Sequence, residues 1–284
     1  MPTWFTTLLH PFQLAVAAVL AGAHHLAVSL GAAPGSGLAW LLAVIGLVIT
    51  VRLALIPLTI RQVRLAHASA RAKPALAEIQ RRYAGRTDLD SRRAQLAELR
   101  AVRGEHGLSA WGALPLLIQV PVMLALFRVL RDVADGVGIG VMSAALVDSA
   151  RSADVLGAGL GAHLTAVATW PDGAVIVAVA LATAALTYLT SRYLVLANLP
   201  SPAPSGAQPG TDPAAQLAAQ LSATMMRVMP TFAAIGIVAS GWAVPLGVLL
   251  YWLISAIWTA GQQAVINRWA PTPGSPAHAR RTTT

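Results

Sequence analysis

Five long apolar stretches constrain this chain more than any other feature of its sequence. They lie at 38–60, 108–130, 173–196, 227–243 and 245–266. The first, LAWLLAVIGLVITVRLALIPLTI, would extend about 34 Å as a helix, enough to cross a hydrocarbon core about 30 Å thick. Inside lipid, a lone segment satisfies its backbone polar groups only as a helix. The sequence therefore predicts an all-α polytopic membrane protein with a core of five transmembrane helices.

The composition agrees with this class and excludes several kinds of function. Hydrophobic residues make up 56% of the chain, charged residues 11%, and the mean hydropathy is +0.64, outside the range of soluble globular proteins. The absence of cysteine excludes disulfides, thiolate nucleophiles and cysteine-ligated metals. Every Asp and Glu lies outside the apolar stretches, and no H-E-x-x-H motif occurs. We therefore expect neither enzyme activity nor a cofactor or metal.

The distribution of charge predicts the topology. Segment 61–107 carries 11 Lys and Arg against 5 Asp and Glu, whereas segment 131–172 carries 2 Arg against 5 Asp. Because cytoplasmic loops are enriched in Lys and Arg, 61–107 is expected inside and 131–172 outside. Five spans then place the N-terminus outside and the tail 267–284 inside. Segment 197–226, rich in Pro, Ala, Gly and Ser, is expected to be a flexible cytoplasmic loop.

Residues 1–37 are ambiguous, because they contain no Lys or Arg. Placed on a helix, their polar side chains share one face: Thr6, His10, Gln13 and His24. The pattern favours an interfacial helix on the outer leaflet, since a polar stripe through a lone span is costly. The alternative is that 11–30 span the bilayer.

The basic segment 61–107 contains two runs of apolar residues at spacings of three and four, separated by AGRTDLD at 84–90. This pattern predicts an antiparallel helical hairpin projecting from the membrane. Its arginines either form a solvated face that fixes topology or dock an anionic lipid, ribosomal RNA or an acidic partner. The docking candidates are Arg81, Arg82, Arg92 and Arg93.

Arg52 is the first charged residue of the chain and lies inside the first apolar stretch. A charge there costs about 2.5–3.5 kcal/mol on insertion scales, so either a wet cavity or snorkelling to the cytoplasmic face must compensate. The absence of an intramembrane carboxylate favours a positively charged, water-filled cavity. Its other candidate members are Gln119 and one face of the last span, Tyr251, Ser255, Thr259 and Gln262.

A second polar stripe lies in the third span, at Thr183, Thr187 and Thr190. Hydrogen bonding between packed helices, worth about 0.6 kcal/mol per contact, is the favoured interpretation. Lining of the same cavity is the alternative.

Several segments resemble YidC-type membrane protein insertases, the bacterial relatives of the Oxa-type insertases. VRLALIPLTIRQVR (51–64) resembles the first core span, AKPALAEIQRRYAG (72–85) the cytoplasmic hairpin, and LPLLIQVPVMLALFRVL (114–130) the second core span. MMRVMPTF (225–232) and PLGVLLYWLISAIWTAGQQ (245–263) resemble the last two spans. The resemblance implies a multi-pass protein of the bacterial cytoplasmic membrane, with a five-helix core.

The resemblance also implies a function and a site. Family members insert newly made membrane proteins and help them fold, alone or beside the Sec translocon. Arg52 matches an arginine in a hydrophilic groove open to cytoplasm and lipid, and Gln119, Tyr251 and Trp252 match groove positions. Hydrophobic partitioning of the client would drive insertion without ATP.

The expected partners are nascent membrane proteins and the lipid bilayer, with the chain acting as a monomer. Ribosome docking is less strongly indicated, because the tail carries only three basic residues, Arg268, Arg280 and Arg281. The alternative function is a small anion transporter or channel that uses Arg52 in a midplane site.

Overall fold

A computed structural model describes residues 3–282, except for residues 87, 109–113, 167–169 and 200–212. The helices are α1 Thr3–Ser29, α2 Gly37–Ala54, α3 Ile56–Arg82, α4 Leu89–Glu105, α5 Leu114–Ala134, α6 Ala144–Ser152, α7 Trp170–Leu189, α8 Pro213–Ser240, α9 Leu246–Trp269 and α10 Pro276–Thr282. Strands β1 Asp154–Val155 and β2 Ala158–Gly159 form a short antiparallel hairpin. A π-helical segment, Thr190–Val195, follows α7. The all-α prediction is confirmed.

Four helical segments of the described chain are long and apolar enough to cross a membrane. They are Leu9–Ser29, Gly37–Ala54, Trp170–Asn198 and Leu246–Trp269, and a shorter apolar segment covers Val228–Ser240. The start of the predicted second span and residues 200–212 of the predicted loop 197–226 lie outside the described residues. From Pro213 onward, that predicted loop belongs to α8.

The described chain divides into two compact units. The first comprises Met1–Ile56, Leu116–Tyr188 and Phe232–Ala260, and the second comprises Pro57–Pro115, Leu189–Thr231 and Gly261–Thr284. The first contains the apolar core, and the second contains the basic hairpin and the end of the chain.

In the first unit, α1 and α2 pack together as a hairpin. Gly46 of α2 lies so close to α1 that an added Cβ would come within 2.8 Å of the Ala23 Cβ. The polar side chains Gln13 and His24 face inward, being 9% and 3% exposed, whereas Leu26 is 61% exposed. Protein therefore covers two members of the polar stripe, Gln13 and His24, whereas His10 is exposed. Interfacial placement of α1 stays a prediction, because Leu9–Ser29 also has the length and composition of a span.

The first long apolar stretch, 38–60, is interrupted at Leu55. The amide of Leu55 still bonds to the carbonyl of Val51, at 3.1 Å, and α2 ends there. Two residues later, Pro57 has no N–H to offer the carbonyl of Leu53, so the α-helical ladder is broken at this point. A new helix, α3, begins at Ile56.

Residues 135–166, which we call the cap, fold over one end of α2 and α9. The carbonyl oxygen of Asp154 occupies the position that a Cβ on Gly37 would take, so the cap backbone lies directly on the first residue of α2. The amides of Leu246 and Gly247 at the start of α9 donate to the cap carbonyls of Ala162 and Leu160, each at 2.9 Å. Small apolar residues of α6 and the β-hairpin join the main hydrophobic core. The cap lies within 131–172, where the sequence indicates only a loop.

In the second unit, α3 and α4 form a hairpin, and polar contacts join the two helices close to the turn that connects them. The Tyr83 hydroxyl donates to the Glu98 carboxylate at 2.8 Å, and Arg82 forms an ion pair with the same carboxylate at 3.2 Å. The Asp88 side chain caps the start of α4 by accepting the Ser91 amide at 2.7 Å.

The chain end folds back within the second unit. Asn267 donates to the carbonyl of Leu194 at 2.9 Å, and the amide of Thr272 donates to the Asn198 side chain at 2.8 Å. These bonds attach the end of α9 and the following residues to the segment after α7.

Candidate functional site: the polar cluster around Arg52

Arg52 lies in the last turn of α2, where its guanidinium contacts α9. The Nη2 atom donates to the Ser255 hydroxyl at 2.6 Å and to the Thr259 hydroxyl at 3.0 Å, with the Ser255 carbonyl at 3.4 Å. Ser255 and Thr259 are four residues apart and share one face of α9. The Thr259 hydroxyl in turn donates to the Ser255 carbonyl at 2.8 Å. Two hydroxyl groups therefore hold one nitrogen of the guanidinium.

The charge on Arg52 has no carboxylate partner among the described residues. Ion pairs in that part of the chain involve the α3–α4 hairpin and the Arg131–Asp135 pair. Serine and threonine hydroxyls are neutral acceptors, so they orient the guanidinium without cancelling its charge. Within the same described part, the hydrogen bonds of Arg52 all use Nη2.

Tyr251 lies one helical turn before Ser255 on α9. The phenol of Tyr251 interacts electrostatically with the Arg52 guanidinium and lies near the Ser255 side chain. Tyr251 and Trp252 are half-buried and pack against the hydrophobic core. Arg52, Tyr251, Ser255 and Thr259 thus form one cluster, as the spacing on α9 predicts.

Two further candidates from the sequence are Gln119 and Gln262. Gln119 lies on α5, but its side chain is outside the described part of the structure. Gln262 is half-buried on α9 in the second unit.

In the threonine stripe of the third span, the hydroxyl of Thr183 forms its hydrogen bond within α7. The Thr183 side chain is 1% exposed, and its hydroxyl donates to the carbonyl of Val179 at 2.7 Å, four residues earlier. This bond satisfies the hydroxyl within the helix, so Thr183 needs neither a neighbouring helix nor water. Thr187 is half-buried in the same unit, and Thr190 is buried at the start of the π-helical segment in the other unit.

Three of the four hairpin arginines take part in exposed ion pairs. Besides the Arg82–Glu98 pair, Arg81 pairs with Glu78 at 3.5 Å and Arg93 with Asp90 at 3.6 Å, both on their own helices. Arg92 is exposed. Exposed pairs of this kind contribute about 0–1 kcal/mol, so they leave the surface basic without making it rigid.

Sequence reasoning missed the contacts of His24, which it treated as an interfacial polar residue. Its ring stacks on Trp40 with centroids 4.2 Å apart, and its Nε2 lies 2.9 Å from the Pro34 carbonyl. The Trp40 indole donates to the Ser149 hydroxyl of the cap at 3.1 Å. No local pattern indicates this network, since each residue type is an ordinary one for a membrane interface and Ser149 lies 109 residues from Trp40. In the described part of the chain, no three His, Asp or Glu residues are placed to hold a metal ion.

Comparison with known proteins decides the family. The sequence model of the 60Kd inner membrane protein family matches residues 32–273. This chain belongs to that family. The resemblance to YidC-type insertases and the polytopic membrane class are thereby confirmed.

Individual relatives of the family carry the name membrane protein insertase YidC. The protein of Streptomyces avermitilis is 34% identical over 253 residues, which cover 86% of this chain and 55% of the relative. That of Tropheryma whipplei strain Twist is 31% identical, over 94% of this chain and 86% of the relative. That of Bifidobacterium longum is 26% identical, over 98% and 76%. The chain therefore spans about half the length of the Streptomyces relative.

Proposed function

We propose that this chain is a membrane protein insertase that receives clients at Arg52. The observation that carries the proposal is the state of this arginine: it lies in an apolar helix, is oriented by two hydroxyls and has no carboxylate partner among the described residues. The names of the family relatives support the same function.

The chemistry of the cluster suits a transient carboxylate ligand. In the low dielectric of a helix wall, a guanidinium attracts a carboxylate more strongly than it would in bulk water. Because Ser255 and Thr259 occupy Nη2, an acidic side chain of a client would approach the Nε and Nη1 edge and form charge-assisted hydrogen bonds there. A single basic residue with no further charged partner binds weakly enough to release the client.

Insertion then follows from partitioning. A client tail held halfway at Arg52 has a lower barrier to crossing, and the apolar segment behind it gains about 0.8 kcal/mol for each CH₂ that enters lipid. Tyr251, which interacts with Arg52, and the neighbouring half-buried Trp252 would line the path of that segment. Gln119 and Thr187, which belong to the same unit as Arg52, are the further groove positions we propose, in a groove open to the cytoplasm and to lipid. No ATP is required for this sequence of events.

The proposed setting is the bacterial cytoplasmic membrane, with the N-terminus outside and the C-terminus inside, as the charge distribution predicts. The chain would act as a monomer on nascent membrane proteins, beside the Sec translocon for some clients. Arg81, Arg82, Arg92 and Arg93 are the proposed docking residues of the cytoplasmic hairpin. A ribosome is the less favoured partner.

Reconstituted insertion tests the proposal. The chain and its Arg52→Ala and Arg52→Lys variants would be placed in liposomes and given a short single-span client with an acidic tail. Translocation of the tail would be measured by protease protection. We expect the Arg52→Ala variant to insert less of the client than the wild type does. The Arg52→Lys variant should retain most of the insertion activity, because lysine keeps the positive charge.

Two controls make the result specific. A client whose tail acids are replaced by their amides should respond little to Arg52→Ala, and Leu53→Ala tests a neighbouring exposed side chain of α2. Equal insertion of the acidic client by wild type and Arg52→Ala would refute a role for the charge.

A second candidate function is that of a small anion transporter or channel. An arginine in an apolar helix that has no carboxylate partner among the described residues would also suit that function. The same liposomes distinguish the two functions. Flux of a small anion that depends on Arg52, without client insertion, would favour transport. Client insertion without such flux would favour the insertase.

A further inference from the structure

The turn between β1 and β2 carries a leucine in a conformation that suits glycine. Leu156 has φ of 59° and Gly157 has φ of 92°, so both central residues of this two-residue turn have positive φ. Asn, Asp or Gly normally occupies the first of these positions, because a larger side chain with a Cβ crowds the backbone there. Within the part of the chain that the structure describes, Leu156 is the only residue other than glycine with positive φ.

The side chain of Leu156 does nothing for the packing of its own hairpin. It is 75% exposed, whereas the flanking Val155 and Ala158 are 5% and 1% exposed. The turn would form more easily with a small polar residue, and the Asp154 carboxylate already bonds to the Gly157 amide at 2.7 Å. A strained backbone and an exposed apolar side chain therefore coincide at the tip of the cap.

The turn lies beside the start of α2, an apolar helix long enough to cross a bilayer. Its first strand lies directly on Gly37, where the apolar helix α2 begins, and Trp40 of the first turn bonds to Ser149 of the cap. The turn thus lies close to the end of a helix that is long and apolar enough to cross a membrane.

Other exposed apolar side chains lie at the same end of the first unit. Leu26 lies in the last turn of α1 and Leu30 follows that helix. Leu38 lies in the first turn of α2, and Trp242 precedes the start of α9, which the cap binds. Together with Leu156 they form what we call the apolar rim: Leu26, Leu30, Leu38, Leu156 and Trp242 are 61, 78, 59, 75 and 62% exposed. Leucine and tryptophan side chains are stable in the interfacial region of a bilayer, where water gives way to acyl chains.

We infer that Leu156 inserts into the lipid interface at the end of the bilayer where α2 begins, and that the β-turn anchors the cap to the membrane surface. Removal of the isobutyl group from water offsets the unfavourable φ. The anchor holds the cap over the ends of α2 and α9 and does not depend on what Arg52 binds. The occupant is lipid, because the tip lies at the same end of the unit as the other side chains of the apolar rim, which belong to or flank candidate membrane spans.

The absence of cysteine allows a direct measurement of depth. Single cysteines would be introduced as Leu156→Cys at the tip, Asp148→Cys on the exposed side of α6, and Leu42→Cys on the exposed side of α2. Each would carry a nitroxide label in vesicles of phosphatidylcholine and phosphatidylglycerol. Accessibility to oxygen, which concentrates in lipid, would be compared with accessibility to a water-soluble nickel chelate.

We expect the oxygen-to-nickel ratio at 156 to lie well above that at 148 and toward that at 42. The Asp148 label is the matched control, because it tests whether the apolar label alone draws the cap into lipid. A ratio at 156 equal to that at 148 would overturn the anchor.

A second pair of variants tests the anchor without a label. Leu156→Asn suits positive φ and removes lipid affinity, whereas Leu156→Met keeps an apolar side chain. If lipid holds the tip, trypsin should cleave after the exposed cap residue Arg151 about three- to tenfold faster in the Asn variant in vesicles, and at the wild-type rate in the Met variant. Cleavage of the Asn variant at or below the wild-type rate would show that the leucine contributes only strain.

Discussion

The hydroxyl groups that hold Arg52 permit a quantitative prediction. Ser255→Ala removes the shortest bond to the guanidinium, 2.6 Å from Nη2, while the Thr259 hydroxyl at 3.0 Å and the Ser255 carbonyl at 3.4 Å remain. A hydrogen bond to a charged group contributes about 1.5–3 kcal/mol. Because two acceptors remain and Arg52 is only half-buried, we expect the lower end, about 1.5 kcal/mol of lost unfolding free energy.

A double-mutant cycle isolates this contact from other effects of the serine. Arg52→Met, Ser255→Ala and the combined variant would be unfolded with denaturant in mixed micelles, and the interaction term should be about 1–2 kcal/mol. Ser240→Ala is the matched control, since the Ser240 hydroxyl donates to the carbonyl of Ile237 on its own helix, and it should show no coupling to Arg52. An interaction term within about 0.3 kcal/mol of zero for the Ser255 cycle would refute the hydroxyl clamp.

Two further predictions concern the cap and the hairpin. Gly37→Ala would place a Cβ on the cap backbone and should lower the free energy of unfolding by about 2–4 kcal/mol, whereas Gly22→Ala, with open space around Gly22 in α1, should raise the free energy of unfolding by about 0.5–1 kcal/mol. Thermal unfolding in detergent compares the two variants. Equal effects would exclude the close approach of the cap backbone to Gly37. At Asp88, the Ser91 amide bond lowers the pKa of the carboxyl. Its contribution to the start of α4 should therefore be present above the ordinary Asp pKa of about 3.9 and be lost as pH falls through the lowered folded value. NMR titration of the Ser91 amide would measure this, and an Asp88 pKa at or above 3.9 would contradict it.

Local pattern was enough to predict part of the candidate site. Ser255 and Thr259 are four residues apart, so any α-helix places them on one face, and the structure brings that face to Arg52. The same spacing argument could not distinguish Thr183, because a threonine hydroxyl bonds equally well to its own helix, as it does here to Val179.

Contacts between distant backbone segments were beyond such reasoning. The approach of the cap to Gly37 depends on the positions of two segments over 100 residues apart. A single glycine in the sequence does not indicate which backbone packs against it. The polar face of α1 illustrates the same point. Its residues predict an amphipathic helix, but only α2 and Trp40 decide that His24 is buried against protein.

The sequence by itself determined that this protein is an all-α membrane protein with an uncompensated arginine in its first core stretch. Length, hydropathy and charge distribution suffice for that, because lipid admits few ways of satisfying a backbone. The tertiary structure alone decided which hydroxyls orient Arg52, that the loop 131–172 contains a folded cap, and that Leu156 stands strained and exposed at its tip. These features arise from packing between segments far apart in the chain, which no local periodicity encodes.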